Sequence, residues 1–405
     1  MKRRAFAAMA VLAGCAFAGA PALAQATGGT FRIGLIDDMS GVYADITGQG
    51  SVTAARLAIE DFGGSVLGRK IELLTADHQN KADIASSTAR GWYDAQDVKM
   101  ITGLGNSAVA LAVRALSRER GKVDIVSGAA LPALTGEQCS PTGFHWAYNT
   151  YSNSKVIGSA VVKNGGKTWF FLTTDYAFGT AIQTDMTKFV EAAGGTVNGS
   201  VRMPLGNTDF ASFLLQAQAS KAKVVGVAAG GADFVNTVKQ AGEFGIAEGG
   251  QALAGVVVFV QDVRALGTRL ARGLYLAEPF YWDLDDKTRA FSKRFMESTK
   301  MMPNSIHAGV YSAVTHYLKA VAKAGTDEGK AVAAAMKTLP VEDMFTHGAK
   351  VREDGQVLRD LHLFQVKAPD ESKSEWDLYR LISTAKGEEA YRPLADGKCP
   401  HVAAK

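Results

Sequence analysis

Residues 31–62 read FRIGLIDDMSGVYADITGQGSVTAARLAIEDF. FRIGLI is strand-like, the stretch Asp37–Gly50 ends in Gly48-Gln49-Gly50, and SVTAARLAIEDF has a helix pattern. Strand, glycine turn and helix also open a nucleotide-binding domain, so the first question is whether this turn holds a cofactor. The dinucleotide fingerprint G-x-G-x-x-G needs a third glycine for close helix–strand packing and an acid about 20 residues on for the ribose. Here Thr53 stands at the third position, Asp77 lies 27 residues beyond Gly50, and the turn itself is too long. No G-x-x-x-x-G-K-[ST] phosphate loop occurs either. The reading is therefore an α/β unit with no cofactor.

Upstream, MKRR (1–4) is a positive region, residues 5–24 are apolar and Ala-rich, and Ala22-Leu23-Ala24 is a cleavage motif before Gln25. That is a secretory signal peptide. LAGC, ending at Cys15, has the form of a lipoprotein box, but the apolar AFAGAPALA that follows is not a polar tether. No later run approaches the roughly 20 apolar residues of a membrane span. The mature protein is expected to be soluble and exported to an oxidising compartment, where its two remaining cysteines, Cys139 and Cys399, form a disulfide.

Downstream, strand-length apolar runs at 31–36, 70–76, 99–104 and 123–129 alternate with helix patterns at 47–62, 82–97 and 107–119. That alternation predicts a parallel sheet covered on both faces. It restarts near residue 150 and runs through TWFFLTT (168–174), KVVGVAAG and ALAGVVVFV. Beyond 284 the pattern predicts helices at 285–299, 305–324 and 328–338, then a period-two antiparallel hairpin in LHLFQVKAP…EWDLYRLISTA. The 405 residues, 47% hydrophobic and 21% charged, suit two such lobes, and the net +4 has no basic tract for nucleic acid.

Catalytic arrangements are weak. Gly105-Asn106-Ser107-Ala108-Val109 lacks the closing glycine of a nucleophile elbow, the seven histidines are scattered, and no metal motif occurs. The loops are better suited to binding. GNSAV and SGAALPAL each follow a predicted strand, where parallel sheets bind ligands. A helix amino terminus there can hold an anion on its free amides. Tyr43, Tyr151, Tyr176, Phe178, Tyr281 and Trp282 fall at predicted loop positions and suit a mostly apolar pocket.

FRIGLIDDMSGVYADITGQGSVTAARLAIED, GNSAVALAV, SGAALPALTG, FFLTTDYAFG and HAGVYSAVTHYLKAV together resemble the periplasmic solute-binding proteins of branched-chain amino acid-type ABC importers. The resemblance implies the type I periplasmic binding protein fold, two Rossmann-like lobes with parallel sheets joined by three hinge crossings, near 147–150, 277–281 and 343–350. The first lobe would comprise 25–147 and 281–345, and the second 148–280 and 346–405 with the C-terminal hairpin and tail. It makes the compartment of export the periplasm, and implies a monomer that closes on a small carboxylate-bearing ligand and docks on a membrane permease. Asn106, Ser107 and the amides of Ala129, Ala130 and Leu131 would hold the carboxylate, with Tyr43 beside them; Tyr151, Tyr176 and Gly230 would close over it. Asp262 is the rough match to the carboxylate that amino-acid binders use for the ligand ammonium, but it also suits a helix cap. If it is a cap, the ligand is an aromatic or short aliphatic acid, flanked by Phe178, Tyr281 and Trp282. A sensor presenting its ligand to a chemoreceptor or kinase, and an exported α/β hydrolase using Ser107, are the other function classes.

Overall fold

A computed structural model describes residues 29–402; the expected signal peptide and Cys15 lie outside the described residues. The first lobe opens with β1 (Thr30–Asp37), α1 (Gly48–Asp61), β2 (Ser65–Val66), β3 (Arg69–Asp77), α2 (Ala82–Ala95), β4 (Val98–Gly103), α3 (Ser107–Glu119), β5 (Val123–Val126) and β6 (Gly143–His145). Its strands lie in the order β2-β3-β1-β4-β5-β6, and all pairs but β2–β3 are parallel. β1 is apolar almost throughout because both its faces are covered. Phe31, Ile33 and Leu35 join one core, and Ile36 joins the other with Trp92, Ile101 and Val113.

The second lobe follows as α4 (Thr150–Lys163), β7 (Thr168–Thr174), α5 (Ala177–Ala192), β8 (Thr196–Met203), α6 (Ala211–Ala219), β9 (Val224–Ala228), α7 (Gly231–Glu243), β10 (Ala252–Gly255), α8 (Val260–Leu266), α9 (Thr268–Ala271) and β11 (Tyr275–Glu278). Four of its strands form a parallel sheet in the order β10-β9-β7-β8.

The chain then returns to the first lobe through α10 (Asp286–Thr299), α11 (Ser305–Ala324), α12 (Gly329–Thr338), β12 (Val341–Glu342), β13 (His347–Val351) and β14 (Val357–Leu358). α11 is capped by the Asn304 side chain and ends at left-handed Gly325. Its buried face packs Val310, Val314 and Tyr317 against Phe31 and Ile33. The chain crosses back into β15 (Leu361–Val366) and β16 (Tyr379–Ala385), then α13 (Gly387–Ala390). β11, β15 and β16 form a separate antiparallel sheet, the expected hairpin included. Its Leu276, Phe364 and Val366 share the second lobe's core with Leu172 and Phe234.

The crossings therefore fall at 146–149, after Glu278, and at Arg359–Asp360. The third is later than the expected 343–350. That segment instead forms the β12–β13 ribbon on the first lobe, because Val341, Val351 and Val357 bury in its core. Phe345 packs edge-on against Phe280. Cys139 and Cys399 are bonded, with Cα atoms 5.6 Å apart. Among the described residues no helix is long and apolar enough to cross a membrane.

Candidate functional site

The loop after β1 is built around Asp38. Its carboxylate accepts from the Gly41 and Tyr43 amides at 2.7 and 2.9 Å and from Asn80 Nδ2 at 2.6 Å. These bonds fix Tyr43 at the boundary between the lobes. Its hydroxyl lies 2.5 Å from that of Tyr176, the residue preceding α5 in the second lobe. Phe178 meets the Tyr43 ring edge-on at 6.5 Å and lies 5.8 Å from the Tyr176 ring.

Opposite these rings is the carboxyl end of the first sheet. Asn106 caps α3 by accepting from the Ala108 and Val109 amides. The Ser107 amide is left without an acceptor among the described residues, and the buried Ser107 Oγ has no partner. The Ala130 amide is likewise free, whereas the Ala129 amide donates to Leu104 O at 3.1 Å. Small residues keep this surface open: a Cβ on Gly128 would lie 2.6 Å from Gly105 Cα. A Ser107 hydroxyl and two amides at the positive end of a 13-residue helix make a subsite for an anionic group.

These surfaces enclose a cavity lined by Tyr43, Ile46, Gly105, Ser107, Gly128, Ala129, Ala130, Tyr148, Tyr176, Phe178, Gly230, Val257 and Ile306. Its volume is about 20 Å³, the size of one water. Burial raises the Tyr43, Tyr148 and Tyr176 hydroxyls well above the usual phenol range, so they are neutral donors. Beneath the floor, Asp37 Oδ1 accepts from the Gly105 amide at 2.8 Å, and burial pushes this carboxyl up to about 7.

Seven of the expected residues therefore share one cavity: Tyr43, Ser107, Ala129, Ala130, Tyr176, Phe178 and Gly230. The others are engaged elsewhere. Asn106 is the α3 cap, and the Leu131 side chain packs in the core beside Leu134, while its amide has no acceptor among the described residues. Tyr151 stacks edge-on against Phe189 at 4.9 Å beneath Lys188. Tyr281 and Trp282 both donate to the Trp376 carbonyl. Asp262 is a cap: its Oδ2 accepts from the Phe259 amide at 2.9 Å. Its neighbour Gln261 makes the contact between lobes, accepting from Asn304 Nδ2 at 2.9 Å and donating to Met302 O at 2.7 Å. Tyr148, Val257, Ile46 and Ile306 were not anticipated. Tyr148 sits at the first crossing and donates to Gly128 O. Its place in YNTYSN, next to an expected hinge, is the signal that was available.

The lobes also meet through backbone. The Ala232 amide at the start of α7 donates to Val42 O at 2.9 Å. Gly231 has φ +57°, and a Cβ there would lie 2.3 Å from that same carbonyl.

Two α/β lobes meeting over a small closed cavity at the sheet ends define a bilobal binding protein, and the chain belongs to the periplasmic binding protein family, whose model matches residues 30–373. It is similar to a periplasmic binding protein from Burkholderia mallei, with 46% identity, a TM-score of 0.90, and coverage of 92% of this chain and 99% of that one. A branched-chain amino acid ABC transporter periplasmic ligand-binding protein from Burkholderia xenovorans LB400 is 39% identical over the same shares, with a TM-score of 0.81. An ABC transporter solute-binding protein from Rhodopseudomonas palustris BisB5, solved with 3,4-dihydroxybenzoic acid, is 25% identical over 88% of this chain and 98% of that one, with a TM-score of 0.80. No curated protein sequence matches the chain.

Proposed function

We propose that this protein is the periplasmic substrate-binding component of an ABC importer, and that it carries a small carboxylate without an amine, an aromatic acid first among them. The carrying observation is the pairing of the Ser107–Ala130 anion subsite with neutral aromatic walls. A ligand carboxylate would take the Ser107 hydroxyl and amide and the Ala130 amide. Its ring would lie among Tyr43, Tyr148, Tyr176 and Phe178. An α-ammonium buried in the same space needs a carboxylate partner, because an uncompensated buried cation is costly. The lining residues include no Asp or Glu, and Asp262 is spent on its cap. The R. palustris relative with a bound dihydroxybenzoate supports the same ligand class, and the B. xenovorans relative supports the importer.

Benzene occupies a cavity of roughly 150 Å³, so a ring enters only when the Tyr43 and Tyr176 hydroxyls part and the lobes reclose around it. Such a hinge cycle is what a permease reads. The hydrolase alternative lacks support, since Ser107 Oγ has no base bonded to it among the described residues.

Calorimetric titration with benzoate, 3,4-dihydroxybenzoate and leucine tests the proposal. Saturable binding of an aromatic acid is expected, with a stabilisation of about 2.7 kcal/mol at 100 times the dissociation constant. Tight leucine binding with no response to either acid would overturn it.

A further inference from the structure

We propose that the Cys139–Cys399 disulfide turns the C-terminal tail into a fourth link between the lobes, a strap that restrains their opening; the inference rests on the lobes moving as a binding protein's do.

The tail leaves the second lobe at the end of β16. There Asp360 takes the Gly387 amide at 3.2 Å and the Lys386 ammonium at 2.7 Å, and Lys155 of α4 donates to the Glu389 carbonyl. Three residues after Glu389 the chain is held by the first lobe. Arg392 Nη2 donates to Pro132 O at 3.0 Å, and Arg352 Nη1 donates to Arg392 O at 2.7 Å. Between these anchors Tyr391 is 2% exposed, and its hydroxyl donates to Ala147 O at 3.2 Å, on the first crossing. The short turn Leu394–Gly397 then packs on the turn Pro132–Thr135, with Gly397 O close against Gly136. Cys399 completes the attachment by bonding to a residue 260 positions earlier.

The strap has little slack. Three residues span at most about 11 Å when fully extended, so Glu389 and Arg392 cannot separate further than that while both anchors hold. Hydrogen bonds alone can peel away as the lobes rotate. A covalent bond at the far end keeps Glu389 within about 35 Å of Cys399, ten residues on, so peeled anchors re-form and the widest rotations are excluded. A narrower open ensemble loses less entropy on closing, so a larger share of the ligand-free molecules is competent to close.

Two variants separate this role from simple stapling. Cys139→Ser with Cys399→Ser removes the bond. A six-residue Gly-Ser insertion between Tyr391 and Arg392 keeps the bond but adds slack. X-ray scattering of each ligand-free protein should give a larger radius of gyration than the parent, and ligand dissociation should quicken by roughly three- to tenfold in both. A radius of gyration equal to the parent's in either variant, with the double serine changed only in melting temperature, would overturn the strap. The scattering needs no ligand, so its outcome stands apart from whether an aromatic acid is the cargo.

Discussion

The Tyr43 hydroxyl, carried by the first lobe, lies 2.5 Å from the Tyr176 hydroxyl, carried by the second, and this bond crosses the middle of the cavity. It is the only polar pair in that wall that belongs to both lobes among the described residues. Entry of a ring must break it, and each hydroxyl then needs a new partner because both are buried. The ligand is the nearest one. Tyr176→Phe is therefore expected to weaken binding of a ring-hydroxylated acid such as 3,4-dihydroxybenzoate by about fivefold, the worth of a neutral hydrogen bond. Stability of the ligand-free protein should fall by about 1–3 kcal/mol, because the buried Tyr43 hydroxyl is left without its partner. Unchanged affinity by titration calorimetry would show that the ligand never replaces Tyr43 as the partner.

Gly231→Ala attacks closure instead of contact. Its Cβ would sit 2.3 Å from Val42 O, and φ is +57°, so the side chain is excluded both by the opposing lobe and by the backbone. The closed form alone suffers the clash; the backbone cost, about 1 kcal/mol, falls on every folded state. Affinity should fall more than tenfold, and scattering should show no compaction on adding ligand. Parent-like compaction would mean that α7 does not seat on Val42 in the closed complex.

The fold was legible where periodicity is unambiguous. The apolar run of β1, the helical spacing of Val109, Val113 and Leu116 in α3, and the alternation in β15–β16 each specify their element from local sequence. The first-lobe half of the site was legible for the same reason, because Ser107 and Ala130 follow strands directly. The second-lobe half was not, since it depends on how two lobes meet. The aromatics of FYWD read as loop residues, yet Tyr281 stacks on Tyr379, a residue 98 positions away. Asp262 had two readings because a helix-start acid looks the same whether it faces a ligand or its own backbone. The 343–350 segment has strand character in either lobe, and only the burial of Val341 and Val351 assigns it to the first.

The buried carboxyls set a pH dependence of stability. Burial pushes Asp37 and Asp262 up to about 7 and Glu278 up to about 8. In the unfolded chain all three are already ionised above pH 5. Between pH 6 and 8 the folded protein therefore holds more protons than the unfolded one, and stability falls as pH rises. Four buried histidines oppose this at the acid end: burial lowers His145 to about 3 and His78, His307 and His316 to about 4. They stay neutral while the unfolded chain takes protons, so stability is lost as pH falls from about 6.5 towards 4. With Asp185 and Asp233 also raised by burial to about 6, the carboxyls outweigh the histidines above pH 6, and the melting temperature should drop by several degrees from pH 6 to pH 8. Asp262→Asn keeps an oxygen for the Phe259 amide and cannot ionise, so it should flatten the alkaline slope and leave ligand affinity unchanged. A melting curve that rises from pH 6 to 8 contradicts the assignment, and near-complete loss of binding in the Asn variant returns Asp262 to the ligand.

Ser107 offers two groups to an anion, and they can be removed one at a time. Ser107→Ala deletes the hydroxyl and keeps the amide. Ser107→Pro deletes both, at the one helical position where proline is tolerated, because the first-turn amide has no partner within the helix. The preceding residue suits it too: Asn106 has φ −128° and ψ 135°, the extended conformation that a following proline requires. Both variants should therefore fold and melt close to the parent. The alanine form should lose roughly tenfold in affinity for a carboxylate, and the proline form about a further tenfold, each step being a hydrogen bond to a charged acceptor. If the proline form binds as well as the alanine form, the amino terminus of α3 is not where the ligand's charge rests, and the carboxylate must lie instead among the tyrosine hydroxyls.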